Sequence, residues 1–107
     1  KSDKEVLDVL NHAISLDPNR VESYLSLARF YMKTDKTGDA ENTIKKAISV
    51  NPNRALGYLE YARFFGYSNR PTEAEAQFKK AVEVEPASIE TRESLANFYL
   101  GERQLEK

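Results

Sequence analysis

Residues 24–52 read YLSLARFYMKTDKTGDAENTIKKAISVNP, and residues 58–86 read YLEYARFFGYSNRPTEAEAQFKKAVEVEP. Tyr24, Leu27, Ala28, Tyr31, Ala40, Ile44, Ala47 and Pro52 return 34 positions later as Tyr58, Tyr61, Ala62, Phe65, Ala74, Phe78, Ala81 and Pro86. Each landmark comes back as the same residue or one of similar character. A fixed period of this length marks a stacked repeat, in which one unit cannot bury its own apolar flanks without a neighbour.

The spacing within each copy predicts helices over residues 4–16, 21–33, 39–50, 55–67 and 72–84, and a last one from about residue 89. Val6, Leu10, Ala13 and Ile14 share one face of the first, with Leu7 and Ile14 on an adjoining stripe. Pro18, Pro52 and Pro86 recur at the same interval and end the helices before them, because a proline ring disfavours the α region for the preceding residue. Gly38 is expected to form a tight turn within the polar stretch 34–39, and Pro71 suits a first helical position. The last helix carries Leu95, Ala96, Phe98 and Tyr99. No segment alternates apolar and polar residues as a strand would, so the chain is expected to be all-α. Small residues at 28, 40, 47, 62, 74 and 81 let helix axes approach, and aromatic residues, with Phe30, Phe64 and Phe98 among them, fill the space beside them.

These residues resemble the tetratricopeptide repeat pattern: aromatic-x2-Leu-small-x2-aromatic, then Ala-x3-apolar-x2-Ala, then Pro. The resemblance covers essentially the whole chain. Residues 1–20 match the second half of a preceding repeat, 21–54 and 55–88 are whole repeats, and 89–107 match the first half of a following one. Arg92 departs from the pattern, standing where the first aromatic belongs. The resemblance implies a right-handed α-solenoid of about six helices, a slice through a longer array, with a concave groove lined by the first helix of each pair. A peptide or protein segment would bind there. By family position the groove would display Leu25, Arg29, Met32 and Lys33 from the first whole repeat. The second would add Leu56, Leu59, Glu60, Arg63 and Tyr67, and the last Glu93, Asn97 and Leu100. Arg29, Arg63 and Asn97 form a row at the repeat period, and Leu25 and Leu59 a parallel apolar row. Guanidinium and amide groups can take a segment's carbonyls or carboxylates while leucines take its side chains. The plainer alternative pairs the arginines with Glu22, Glu60 or Glu93 across neighbouring helices.

Members of the family that clamp a chaperone's C-terminal carboxylate carry Lys, Asn, Asn, Lys and Arg at the positions of Leu25, Arg29, Glu60, Glu90 and Ser94. None of the five matches, which argues against that ligand.

The rest of the composition narrows the function. The 107 residues are 40% apolar and 31% charged, with a net charge of -1 and no cysteine. That balance offers no field for nucleic acid and no thiolate metal site. No apolar run nears the roughly 20 residues of a spanning helix, so no direct membrane insertion is expected. His12, the one histidine, shares its repeat position with Lys46 and Lys80 and is expected on a solvated face. No phosphate loop, paired-histidine motif or nucleophile motif is present, so the expectation is a non-enzymatic scaffold with no cofactor and no metal. Glu41–Lys45 and Glu75–Lys79 have the spacing of favourable helical ion pairs. Two alternatives stand beside the scaffold: a module that self-associates through its terminal helices, where Leu7 and Ile14 would be exposed if no repeat precedes the first helix, and a regulatory arm of a larger enzyme.

Overall fold

The computed structural model describes residues 1–105. It contains six helices: α1 Asp3–Leu16, α2 Val21–Lys33, α3 Thr37–Val50, α4 Ala55–Tyr67, α5 Pro71–Val84 and α6 Ile89–Leu105. The described residues contain no strand. The chain divides into two compact units: Lys1–Pro52, holding α1 to α3, and the unit from Asn53 onward, holding α4 to α6.

Local chemistry sets the helix ends. Ser2 and Glu5 form a reciprocal capping box at the start of α1, satisfying two donors that a helix start leaves open. Asp17, Asn51 and Glu85, each just before a proline, share nearly the same extended backbone, with φ of −151°, −149° and −133°. The proline ring forces this conformation and stops all three helices at equivalent places. Pro71 opens α5 as expected. The start of α4 has a distant acceptor, since the Ala55 N–H donates to the Glu85 carboxylate.

The tight turn between α2 and α3 is not made at Gly38, which lies inside the first turn of α3 with an ordinary negative φ. It is made at Asp35, with φ of 61°, and again one period later at Asn69, with φ of 58°. Lys36 N–H donates to the Tyr31 carbonyl at 2.8 Å, and Arg70 N–H donates to the Phe65 carbonyl at 2.8 Å. This six-residue closure needs one residue in the left-handed region two positions past the helix. Asp and Asn tolerate that region better than other side chains.

In the first unit α2 packs against both α1 and α3. Its Val21, Tyr24, Leu25, Leu27 and Ala28 are buried, with Ala40, Ile44 and Ala47 from α3. In the second unit α4 packs against α5 and α6. Ala55, Tyr58, Leu59, Ala62, Phe64 and Phe65 of α4 are buried, as are Ala74, Phe78 and Ala81 of α5. Tyr61 stacks on Phe65 with ring centroids 4.3 Å apart, and Phe78 meets Phe98 at 5.2 Å. Burying a side chain such as Phe78 contributes roughly 1.5–3 kcal/mol. Of the three phenylalanines expected to extend the core, Phe64 is buried, whereas Phe30 and Phe98 are half-buried.

Two expectations for the terminal helices are corrected. Ala13 and Ala96, read as inward, are exposed. The expected exposure of Leu7 and Ile14 is found only in part: both are half-buried, and Ile14 lines a cleft with Tyr24 and Leu27 of α2. The contact of α1 with α2 engages the stripe that contains Ile14. The stripe corresponding to the buried face of α3 stays open.

Asn69→Ala is expected to lower stability by about 1 kcal/mol, because alanine occupies the left-handed region at higher cost. Asn69→Gly should leave it unchanged or slightly raised. Urea-melt midpoints of the two variants check this, and equal midpoints would contradict the role given to the turn.

Candidate polypeptide-binding site

The first helices carry the residues expected in a groove. On α2, Arg29 and Lys33 are exposed and Met32 is half-buried. On the second unit, Arg63, Tyr67, Asn97 and Leu100 are exposed and Leu56 is half-buried. Leu25 and Leu59 do not belong to this set, being 1% and 8% exposed. Val21, Leu25 and Ala28 lie at helical spacing, as do Ala55, Leu59 and Ala62. Each trio forms one buried stripe beside the expected inner one. The arc that α2 and α4 bury is wider than the landmark pattern suggests. The two leucines serve the core and cannot line an open surface.

Arg63 and Asn97, a period apart in sequence, come together at one cleft of the second unit. Its volume is about 350 Å³, and its walls are Ala62, Arg63 and Gly66 of α4, Phe78 of α5, and Ser94, Asn97 and Phe98 of α6. Ala62, Phe78 and Phe98 supply the apolar lining, and Gly66 leaves the mouth wide: a Cβ there would meet nothing within 4 Å. The Arg63 guanidinium is held by its own helix, donating from Nη1 to Glu60 Oε1 at 2.9 Å. The Arg63 side chain is 56% exposed and that of Glu60 12%, so the acid anchors the base while other guanidinium donors face outward. Glu60 is one of the acids that the plainer alternative names as a partner, and this pair lies within α4. Ser94 donates its hydroxyl to the Glu90 carbonyl and has acceptor capacity left. The cleft thus combines a positioned cation, an amide and a hydroxyl over an aromatic floor. Ser94 lies three residues before Asn97, a spacing that puts both on one face and is visible in the sequence. The contributions of Phe78 and Phe98 need the packing of α5 on α6. Leu56, Tyr67 and Leu100 do not line this cleft.

The first unit has a cleft of about 330 Å³ between α1 and α3, over α2, lined in part by Tyr24, Leu27, Tyr31, Asn11 and Asn42. Arg29, Met32 and Lys33 do not line it. His12 is exposed, as are the Lys45–Lys46 and Lys79–Lys80 doublets. Among the described residues no cluster of three or more His, Asp or Glu side chains is arranged to hold a metal ion. None of the described helices is long and apolar enough to cross a membrane.

Two contacts hold α6 in place beside the cleft. Tyr99 donates its hydroxyl to Glu75 Oε2 at 2.8 Å, and Lys79 meets the same carboxylate at 3.2 Å. The tyrosine hydrogen bond first, and Lys79 second, hold the Glu75 pKa below its ordinary 4.5. The same carboxylate raises the pKa of Tyr99 above 10.0 and that of Lys79 above 10.5. At the start of α6, Arg92 Nε donates to the Pro86 carbonyl at 2.9 Å. In the first unit Tyr24 donates its hydroxyl to the Pro18 carbonyl at 2.6 Å. The exceptional arginine therefore makes the bond to the proline turn that an aromatic hydroxyl makes from the same repeat position.

Paired antiparallel helices with a proline-marked 34-residue period define a helical-repeat scaffold. Residues 21–54 match the family model of the tetratricopeptide repeat. Among solved structures it is similar to a thermophilic repeat protein of this family from Thermus thermophilus, at 25% identity and a TM-score of 0.79. The match covers 91% of this chain and 50% of that one, so the chain spans about half the length of that relative. MamA is similar in fold at 20% identity and a TM-score of 0.69, covering 92% of this chain and 58% of that one. The first repeat domain of Spaghetti (RPAP3), bound to the HSP90 peptide SRMEEVD, is similar at 19% identity and a TM-score of 0.68. That match covers 92% of this chain and 78% of the other. No curated protein sequence matches the chain.

The tyrosine clasp has a defined pH window. A carboxylate with a lowered folded pKa adds stability that is present above 4.5 and lost as pH falls through the folded value. Tyr99 and Lys79, with raised pKa values, add stability that is present below about 10 and lost as pH rises through theirs. Tyr99→Phe is expected to move the Glu75 pKa back up toward 4.5, read by carboxyl ¹³C NMR titration. An unmoved Glu75 titration would contradict the clasp.

Proposed function

We propose that the chain is a non-enzymatic scaffold that binds an extended or helical polypeptide segment on the exposed faces of its first helices. The cleft of Arg63, Ser94 and Asn97 over Phe78 and Phe98 would be the central contact. Tetratricopeptide repeats are protein-interaction modules, which supports the general reading. The observation that carries the specific one is the convergence of Arg63 and Asn97 on a single apolar-floored cleft. Asn97 would hold the segment's backbone through its amide, which both donates and accepts. Arg63 would take a carbonyl or carboxylate, and the floor a side chain of Leu or Phe size. Arg29 and Lys33, with half-buried Met32, are proposed as a second set on α2, and Leu56, Tyr67 and Leu100 as further contributors.

The residues differ from those needed for a chaperone-type acidic tail. Leu25 is buried, and Glu60 and Glu90 place carboxylates where the resemblance calls for an amide and a cation. Like charges at such positions oppose an acidic ligand. The segment bound here is therefore proposed to be a different one.

Selection of a displayed random-peptide library against residues 1–107 should yield sequences that bind in the micromolar range. Arg63→Ala combined with Asn97→Ala should weaken them at least about tenfold, equivalent to about 1.4 kcal/mol, by calorimetric titration. An unchanged affinity would overturn the assignment of the cleft. In the same assay the peptide SRMEEVD is expected to give no saturable binding.

A further inference from the structure

We infer that the cleft between α1 and α3 in the first unit is a second binding site. Its occupant is an extended polypeptide segment with a basic, an apolar and an acidic side chain on one face. The floor is α2, with Tyr24 and Leu27 buried and Tyr31 half-buried, and Ile14 of α1 closes one flank. Asn11 of α1 and Asp39, Asn42 and Lys46 of α3 stand on the walls, all exposed. The cleft lies apart from the surface proposed above: Arg29 follows Leu27 by two positions, roughly 200° around α2, and does not line it. A helix packed on α1 as α4 packs on α5 would cover Val6, Leu10 and Ala13, the counterparts of buried Ala74, Phe78 and Ala81. Asn11 and Ile14 lie outside that stripe. Their counterparts on α5, Lys79 and Val82, stay exposed and half-buried although α4 packs alongside.

The charges identify the occupant. In the second unit Glu73 and Lys80 hold the positions of Asp39 and Lys46, and each is neutralised locally. Arg70 Nε meets Glu73 Oε2 at 2.8 Å, and Lys80 Nζ meets Glu83 Oε1 at 3.4 Å. In the first unit Ser49 stands in place of that second glutamate and donates its hydroxyl to the Lys46 carbonyl. Among the described residues neither Asp39 nor Lys46 has an ion-pair partner. The two opposite charges are seven positions apart on one helix, roughly 10 Å. In an extended segment the side chains at i, i+2 and i+4 share a face and span roughly 13 Å, which long side chains at the two ends can draw in. The basic end then meets Asp39, the acidic end Lys46, and the apolar residue between them the floor. Asn11 and Asn42 face the segment from opposite walls, and their amides can donate to and accept from its backbone. A segment with like charges at both ends meets repulsion at one of them.

Titration of residues 1–107 with the end-blocked peptides AKTLTEA, AKTLTKA and AETLTEA, followed by ¹H–¹⁵N NMR, tests the inference. AKTLTEA should bind saturably at submillimolar concentration and shift the side-chain amide signals of Asn11 and Asn42. The other two should bind at least about threefold more weakly, the scale of an exposed ion pair. Asp39→Asn and Lys46→Gln, both at exposed positions, should each weaken AKTLTEA by a similar factor while the helical circular dichroism is kept. Arg63→Ala combined with Asn97→Ala should leave its affinity unchanged, which separates this site from the cleft of the second unit. Absence of saturable binding, equal affinity for the three peptides, an unchanged affinity in both α3 variants, or shifts that bypass Asn11 and Asn42 would each overturn it. So would a shift of those two amides on concentrating the protein alone, since a second copy would then be the occupant.

Discussion

The close approach of two antiparallel helices, permitted by alanine, is the constraint on which the rest of each hairpin depends. Ala40, Ala47, Ala62 and Ala81 are wholly without exposure. A larger side chain at any of them would push a helix axis outward and open a void around Ile44 or Phe78, and neither overpacking nor voids are tolerated cheaply in close-packed interiors. Large residues then fit beside the small ones, as the ring contacts of Tyr61 with Phe65 and Phe78 with Phe98 show. The turns serve the same end. The left-handed residues at 35 and 69 reverse the chain within a few residues, so that each second helix starts beside the helix it must cover.

The candidate site is a consequence of that packing. Once Ala62 and Phe78 are fixed in the core, the next residues around α4 and α6 have to face outward, and Arg63 and Asn97 are among them. Glu60 restrains the guanidinium, and the bonds from Tyr99 to Glu75 and from Arg92 to Pro86 restrain α6. A cleft walled by helices restrained in this way is pre-organised, which lowers the entropy lost when a ligand is held.

Much of this is legible in the sequence, and the exceptions share a cause. The helices, the three proline stops, the Pro71 start and the Glu75–Lys79 pair follow from local rules of spacing and propensity. Gly38 misleads because a glycine in a polar stretch suggests a turn, whereas the closure selects the residue two past the helix end, here an aspartate. Leu25 and Leu59 mislead because family position places them toward a groove, while burial on α2 and α4 extends over a second stripe. Ala13 and Ala96 mislead because the landmark pattern describes helices with neighbours on both sides, and these two stand on faces that no described helix covers.

Spacing along one chain is enough to specify the helical class, the 34-residue period and the identity of the landmark positions, because each of these is a local property. Which apolar residues are open and which are covered came only from the packing of helix on helix, as did the placing of Arg63, Ser94 and Asn97 around one aromatic floor. Those properties depend on residues distant in sequence meeting across helices. Periodicity along a helix says which residues share a face but not how many faces its neighbours will cover.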